Sequence, residues 1–152
     1  MRFFYIIVMF LAITTVFAEA KKDANDLVIA QPSATSNGCN LANAGIKDKQ
    51  EFLRFFDTVK RAAADNDKET LSTMLHYPIW VYLKKNKRKP IRNEKEFKTY
   101  YRKILNKKIL DVLLKQKQED LFCNYQGVML GDGAVWFGLN SEKQLGIKAI
   151  NN

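Results

Sequence analysis

The single histidine of the chain, His76, is the first residue whose type could carry out chemistry. An imidazole titrates near neutral pH and can act as a general acid or base when a carboxylate within hydrogen-bond reach orients it. His76 lies at the predicted end of a short helix, directly before Tyr77 and Pro78. At that place the ring can instead interact with terminal carbonyls and the helix dipole. We favour the structural role and keep His76 as the one catalytic candidate.

The acidic residues do not form the pairs that hydrolytic sites need. None of the residues in the strands predicted between 79 and 150 is acidic, and Asp120 and Asp132 lie at strand ends or turns. A paired-carboxylate site is therefore not expected. One histidine and two cysteines do not provide a zinc site, and the sequence contains no phosphate loop and no G-x-S-x-G nucleophile elbow. We expect neither a metal ion nor a cofactor.

Aromatic side chains that also carry a polar group form the candidate ligand-binding set. Rings with hydroxyl or indole N–H groups suit a sugar or another flat, partly polar ligand. The alternative is that each ring only fills the core of the protein. The candidate ligand-pocket residues are Trp80, Tyr82, Tyr100, Tyr125 and Trp136.

A cluster of five cations within six positions is the strongest indication of a partner. The cluster, which we call the basic rim, consists of Lys84, Lys85, Lys87, Arg88 and Lys89. The whole chain carries a formal charge of +9, which favours anionic partners such as acidic proteins, phospholipid headgroups, lipopolysaccharide or acidic glycans. Nucleic acid is not expected for an exported chain. The alternative is a solvated loop whose charges protect a sheet edge from aggregation.

The first twenty residues are typical of a secretory signal peptide. Arg2 supplies a positive start, an apolar run covers 3–17, and small residues suited to cleavage follow up to Ala20. The run is shorter than the about 20 residues that a membrane-spanning helix needs. Cleavage after Ala20 leaves 132 residues with an unchanged charge of +9. The chain has no Asn-x-Ser/Thr sequon, so we expect a bacterial periplasmic or secreted protein.

Cys39 and Cys123 are the two cysteines of the chain. In an oxidising compartment two lone thiols tend to pair. A bond between them would attach the N-terminal segment to the sheet. The alternative is a buried, unpaired Cys123 with a mobile Cys39.

Composition divides the chain into three parts. Residues 1–20 are the predicted signal peptide, and 21–46, rich in Lys, Asp, Asn, Ser and Gly, is predicted to be a flexible linker. Residues 47–152 have the size of a single domain. Capping residues followed by apolar residues at helical spacing predict its helices. They cover 48–64, a shorter stretch that begins at Asn66 and ends before Pro78, a third stretch that begins at Asn93, and 107–116, with a bend at Asn106.

Alternating apolar residues and turn residues predict the strands. The strands cover 79–84, 90–92, 121–130, 134–139 and 145–150. Both faces of the first strand are apolar, so both are predicted to be covered. Glycines at 131 and 133 predict a tight turn. This order of elements predicts an α+β domain with a mostly antiparallel sheet.

The element order and three sequence stretches resemble the nuclear transport factor two-like (SnoaL-like, cystatin-like) superfamily, in particular uncharacterised exported bacterial members. The stretches are YPIWVYL at 77–83, IRNEKEFKTYYRKIL at 91–105 and LFCNYQGVMLGDGAVWF at 121–137, within a resemblance that covers about 48–151. It implies a curved, mostly antiparallel sheet that wraps around about three helices and forms a cone with a pocket. The superfamily includes isomerases, dehydratases, transport adaptors, glycan-binding modules and toxin-immunity proteins, so fold does not decide function.

These observations together predict an exported, non-enzymatic binding module of the bacterial envelope. It would hold a small or glycan-like ligand in the cone, or an anionic protein or envelope component at the basic rim, for example as a toxin-immunity protein. The first alternative is a small cofactor-free isomerase, dehydratase or hydrolase that uses His76 or a pocket tyrosine. The second is a structural partner in a homodimer that pairs through the outer face of the sheet.

Overall fold

A computed structural model describes residues 38–84 and 87–152 of the chain. The predicted signal peptide, most of the predicted linker and Lys85 of the basic rim lie outside these residues. Within the two described ranges, no helix has both the length and the apolar character needed to cross a membrane.

The described residues contain four α-helices, each of which is preceded by an Asp or Asn. The helices are α1 (Lys49–Ala64), α2 (Lys68–Thr73), α3 (Glu94–Ile104) and α4 (Lys107–Lys115). In each case a side-chain oxygen of the preceding residue accepts a hydrogen bond from the backbone N–H three positions further on. The predicted caps Asp48 and Asn93 are confirmed. The predicted cap Asn66 is wrong, because Asn66 takes a left-handed conformation with φ 53° and Asp67 caps α2 instead.

Six strands form two antiparallel sheets, which confirms the α+β class. The strands are β1 (Ile79–Lys84), β2 (Lys87–Ile91), β3 (Phe122–Asn124), β4 (Gly127–Leu130), β5 (Val135–Leu139) and β6 (Leu145–Ile150). One sheet pairs β1 with β2, and the other has the order β3-β4-β5-β6. The single long strand predicted over 121–130 is wrong, because Tyr125 and Gln126 form a tight turn between β3 and β4. The side chain of Asn124 stabilises that turn by accepting a hydrogen bond from the Gln126 N–H at 2.8 Å.

Strand β6 and the residues after it bond to the segment that leads into β1 and to β1 itself. The segment after α2 runs parallel to β6 through a bridge between Leu75 and Ile147, and the backbone N–H of His76 donates to the Ile147 carbonyl at 2.9 Å. Beyond the end of β6, the side-chain amide of Asn152 accepts a hydrogen bond from the backbone N–H of Tyr82 at 2.9 Å. The same amide donates a hydrogen bond to the backbone carbonyl of Tyr82 at 3.0 Å. Hydrogen bonds therefore tie the β1–β2 sheet to the C-terminal end of the four-stranded sheet.

The core lies between the helices and the inner faces of both sheets. Phe137 of β5 meets two rings of α1, with ring centroids 5.1 Å from Phe55 and 6.2 Å from Phe56 in edge-to-face arrangements. On β1, Ile79 and Val81 are buried in the same core. Helix α1 is thus held against the middle of the four-stranded sheet, and the opposite face of that sheet is left toward solvent.

The disulfide predicted between Cys39 and Cys123 is confirmed. It joins the segment before α1 to β3, as expected from the sequence. Residues 38–46, the described part of the predicted linker, contain a turn of 3-10 helix (Leu41–Ala44) capped by Asn40. Ile46 is buried in the core, so this stretch packs on the domain.

Candidate functional site

The outer face of the four-stranded sheet carries a continuous row of apolar side chains. The row, which we call the apolar row, consists of Phe122, Met129, Trp136 and Ala149, which pair in that order across β3, β4, β5 and β6. Their neighbours within β3, β4 and β5 are buried on the opposite face. Phe122 remains 51% exposed, so the row presents apolar surface to solvent rather than to the core.

A bulge in β6 brings a cation onto the same face. Trp136 pairs with Ala149 while Phe137 pairs with Ile147, so Lys148 is an extra residue without a partner on β5. A bulge of this kind re-aims side chains. Ile147 and Ile150 are buried, whereas Lys148 is exposed and Ala149 is partly exposed. Lys148 therefore lies on the outer face beside the apolar row.

A pair of glycines makes room for His76 and Lys148 above the sheet. Gly138 and Gly146 are directly paired across β5 and β6. A Cβ atom at Gly146 would collide with the imidazole of His76, and one at Gly138 would lie 2.6 Å from Cδ of Lys148. Glycine in a strand permits this kind of close approach. The outer face thus carries His76 as well as Lys148.

The environment of His76 favours a neutral imidazole. Burial, followed by the nearby charge of Lys148, lowers the pKa of His76 below its ordinary value of 6.5. An open cleft of about 700 Å³ beside the ring is also lined by Glu51 and Tyr77. None of the hydrogen bonds or ion pairs among the described residues joins a carboxylate to this ring. The carboxylate that general acid–base catalysis requires is therefore not bonded to His76 here.

A concavity of about 530 Å³ lies where the β3–β4 turn meets β5 and β6. Its lining, which defines the Tyr125–Trp136 concavity, consists of Tyr125, Gln126, Trp136, Lys148, Ala149 and Asn151. Tyr125 is 87% exposed. The ammonium of Lys148 donates to the Gln126 carbonyl at 2.8 Å, and the Asn151 amide donates to the Gly133 carbonyl at 2.7 Å. Both polar side chains are therefore positioned by the backbone around the two rings.

The groups of this concavity can contact a ring-shaped ligand with a polar edge. Tyr125 and Trp136 supply aromatic faces together with a hydroxyl and an indole N–H, and neither polar group is hydrogen-bonded to another described residue. Lys148 supplies the positive charge that an anionic edge requires. Convergent rings with a few positioned polar groups are typical of ligand sites. Among the residues that line the concavity, no nucleophile is paired with a base.

The other predicted ligand-pocket residues lie elsewhere. Trp80 and Tyr82 alternate with buried residues on β1 and are 50% and 42% exposed, so the prediction that both faces of this strand are covered is wrong. Tyr100 on α3 accepts a hydrogen bond from the ammonium of Lys89 at 3.0 Å. The lining of the Tyr125–Trp136 concavity includes none of these three aromatic residues. The structure therefore brings together two of the five candidates.

The basic rim divides between the two sides of the β1–β2 hairpin. Lys84 pairs with Lys87, and Arg88 pairs with Tyr82 on the solvent side. Lys89 pairs with the buried Val81, so its side chain lies on the other side of the hairpin. There the Lys89 ammonium contacts Tyr100 of α3 and lies 4.3 Å from the centroid of its ring. No ion pair among the described residues involves any of the four described rim cations.

Sequence reasoning missed Lys148 and Asn151 as members of the site. Two glycines inside the predicted strands, Gly138 and Gly146, were the available signal, because glycine in a strand often marks close approach of another group. Within the described part of the chain, no group of three or more His, Cys, Asp or Glu side chains is arranged to hold a metal ion. Comparison of the chain with protein-family models, with curated proteins and with solved structures gives no match.

Proposed function

We propose that this chain is an exported, non-enzymatic binding module of the bacterial envelope that holds a glycan-like ligand in the Tyr125–Trp136 concavity. One observation carries the proposal: the exposed Tyr125 ring and the partly exposed Trp136 ring, whose polar groups bond to no described residue, flank a positioned ammonium on the solvent face of the four-stranded sheet. A sugar ring presents apolar C–H faces for stacking and hydroxyls at its edge. Lys148 favours glycans that also carry a carboxylate or phosphate.

Binding is better supported than catalysis. His76, the catalytic candidate of the alternative enzyme hypothesis, lies over Gly146 with a lowered pKa and no bonded carboxylate among the described residues. A general acid or base needs a partner that fixes its orientation and protonation state. The concavity itself contains aromatic rings that can stack on a ligand and polar groups that can donate hydrogen bonds to it. Such contacts stabilise a bound ligand without changing its covalent bonds.

The envelope location is supported by two features. The disulfide between Cys39 and Cys123 is compatible with a secreted or periplasmic protein. The signal-like sequence of residues 1–20 supports the same location, although it lies outside the described residues. An anionic ligand also agrees with the net charge of +9.

The resemblance to the nuclear transport factor two-like superfamily remains part of the proposal. The bridge from β6 to Leu75 and the bond from Asn152 to Tyr82 support an arrangement in which both sheets bend as one around the helices and form a cone. An experimental structure with β1 hydrogen-bonded alongside β6 would support this arrangement. Two sheets separated by solvent would contradict it.

A binding titration tests the proposed function. The chain from Lys21 onward would be titrated with acidic and neutral envelope glycans, including peptidoglycan fragments, by isothermal calorimetry. Trp136→Ala and Tyr125→Ala should each weaken binding about tenfold, since one aromatic contact contributes roughly 0.5–1.5 kcal/mol beyond the buried area. Tyr82→Ala is the matched control, because it removes an exposed ring outside the concavity.

Two results would reject the proposal. One is that no glycan of either class binds, and the other is that binding is unchanged when both rings of the concavity are removed. Chromatography of the ligand after incubation provides the second readout. Recovery of unaltered ligand supports a binding role, whereas turnover that is lost in His76→Ala would support the enzyme hypothesis.

A further inference from the structure

The solvent face of the β1–β2 hairpin exposes two large aromatic side chains. Trp80 is 50% exposed and Tyr82 is 42% exposed, because they alternate with Ile79 and Val81, which point into the core. A cluster of large apolar groups on a solvent face marks an interaction site. Both side chains have an apolar body and a polar tip, which distinguishes them from aliphatic residues left at a surface by chance.

The opposite strand completes this face with a cation. Arg88 pairs directly with Tyr82, and Pro90 pairs with Trp80. The guanidinium of Arg88 lies 5.6 Å from the centroid of the Tyr82 ring, and its Nη2 donates to the Trp80 carbonyl at 3.5 Å. Lys84 and Lys87 pair with each other next to these residues and are exposed. We call this set the hairpin face: Trp80, Tyr82, Lys84, Lys87, Arg88 and Pro90.

The charged residues within the sequence of the hairpin are all cations. Residues 77–93 contain six cations and no acidic residue. No described cation of the hairpin face forms an ion pair with another described residue. The positive charge is therefore available to an external surface of uniform negative charge.

We propose that the β1–β2 hairpin docks the domain onto an anionic phospholipid surface. Trp80 and Tyr82 occupy the headgroup level, where aromatic residues with polar tips are favoured. Lys84, Lys87 and Arg88 contact lipid phosphates, which attract basic segments close to the membrane. A lipid surface satisfies both halves of the face at once, since it offers negative charge with an apolar layer directly beneath it. The proposal goes beyond the glycan site, with which the hairpin face shares no residue.

Vesicle co-sedimentation tests the inference. The chain from Lys21 onward is suitable, because the described residues all belong to one compact unit and the apolar run at 3–17, which could itself bind lipid, is absent from it. Vesicles of phosphatidylglycerol and phosphatidylcholine in equal amounts should bind the protein, and pure phosphatidylcholine vesicles should bind it far more weakly. Each basic residue near an anionic surface contributes about fivefold to affinity, so Lys87→Gln with Arg88→Gln should weaken binding on the order of thirtyfold.

A matched variant controls for net charge. Lys108→Gln with Lys117→Gln also removes two exposed cations, but from α4 and the segment after it, and should retain near-normal binding. In a Trp136→Phe variant, Trp80 is the remaining tryptophan, and its fluorescence should shift to the blue with anionic vesicles. Thermal unfolding of every variant checks that the fold is retained.

Three outcomes would overturn the inference. They are equal binding to neutral and anionic vesicles, unchanged binding of the Lys87 and Arg88 double variant, and an unshifted Trp80 spectrum in the presence of bound anionic vesicles. Binding to poly-glutamate without binding to vesicles would assign the basic surface to an acidic protein instead. A failure of vesicle binding leaves glycan titration unaffected, so the two proposals are tested separately.

Discussion

Replacing both Cys39 and Cys123 by serine should lower the free energy of unfolding by about 4–5 kcal/mol. The disulfide joins residues 84 positions apart, and the chain-entropy model assigns this magnitude to a closed loop of that length. A domain of ordinary stability has about 5–15 kcal/mol in total. The double variant should therefore be marginally stable, although Cys123 is the only residue of the buried core cluster among the described residues that it changes.

Urea unfolding followed by circular dichroism measures this loss. Reduction of the unaltered chain is the matched control, because it opens the same loop and leaves two thiols in place of the bond without introducing the serine hydroxyls. The two midpoints should agree closely. Hydrogen exchange should also rise in the segment from Asn40 to Ile46, which the disulfide ties to β3. A loss below about 1 kcal/mol would refute the reasoning, since it would mean that packing alone holds this segment and that the unfolded chain gains little freedom.

Four further substitutions test the surroundings of the core and of the outer face. Tyr101→Phe should raise the free energy of unfolding in urea by about 1 kcal/mol, because the buried Tyr101 hydroxyl has no hydrogen-bond partner among the described residues. Tyr77→Phe should lower it by a similar amount, because the Tyr77 hydroxyl donates a hydrogen bond to the Ser72 carbonyl. By NMR titration, the pKa of His76 should lie below 6.5, and Lys148→Met should raise that pKa only partway, because burial is the larger cause. The lowered pKa means that the contribution of His76 to stability is complete above pH 6.5 and is lost as the pH falls toward the folded-state pKa. Gly146→Ala should lower stability by about 1–3 kcal/mol, since the added methyl group displaces the imidazole; an unchanged midpoint would show that the ring does not pack there.

Local signals predicted the helices well. Asp48 and Asn93 precede apolar residues at helical spacing, and both residues cap helices. The sequence offered two capping residues in succession at Asn66 and Asp67, and propensity does not choose between them. The choice depends on which residue takes the left-handed conformation that ends α1, and that depends on how α1 and α2 pack together.

The turn at Tyr125 was harder to predict because its signal is weak. The stretch 121–130 is apolar at both ends, and an aromatic residue and Gln occupy the turn itself. The flanking Asn124 and Gly127 were informative: Asn124 forms the side-chain turn, and Gly127 has φ 138°. Tyr125 therefore lies at a turn, where its ring is exposed, rather than inside a strand.

The composition of the site could be predicted only in part. Sequence alternation correctly assigned Trp80 and Tyr82 to one face of β1 and Ile79 and Val81 to the other. It could not show that the face with the aromatic residues is exposed to solvent. The presence of Lys148 in the Tyr125–Trp136 concavity depends on a bulge in β6 and on Gly138 in the neighbouring strand. Those contacts are distant in sequence, and no local pattern specifies them.

The most direct test of the ligand site is an NMR titration of the chain from Lys21 with the acidic glycan that binds most tightly. The chain has two tryptophans, so Trp80 provides an internal control for Trp136. The binding of a glycan in the Tyr125–Trp136 concavity should shift the indole N–H signal of Trp136 in a saturable manner and leave that of Trp80 unchanged. Saturable binding that leaves the Trp136 signal in place would contradict the proposed site.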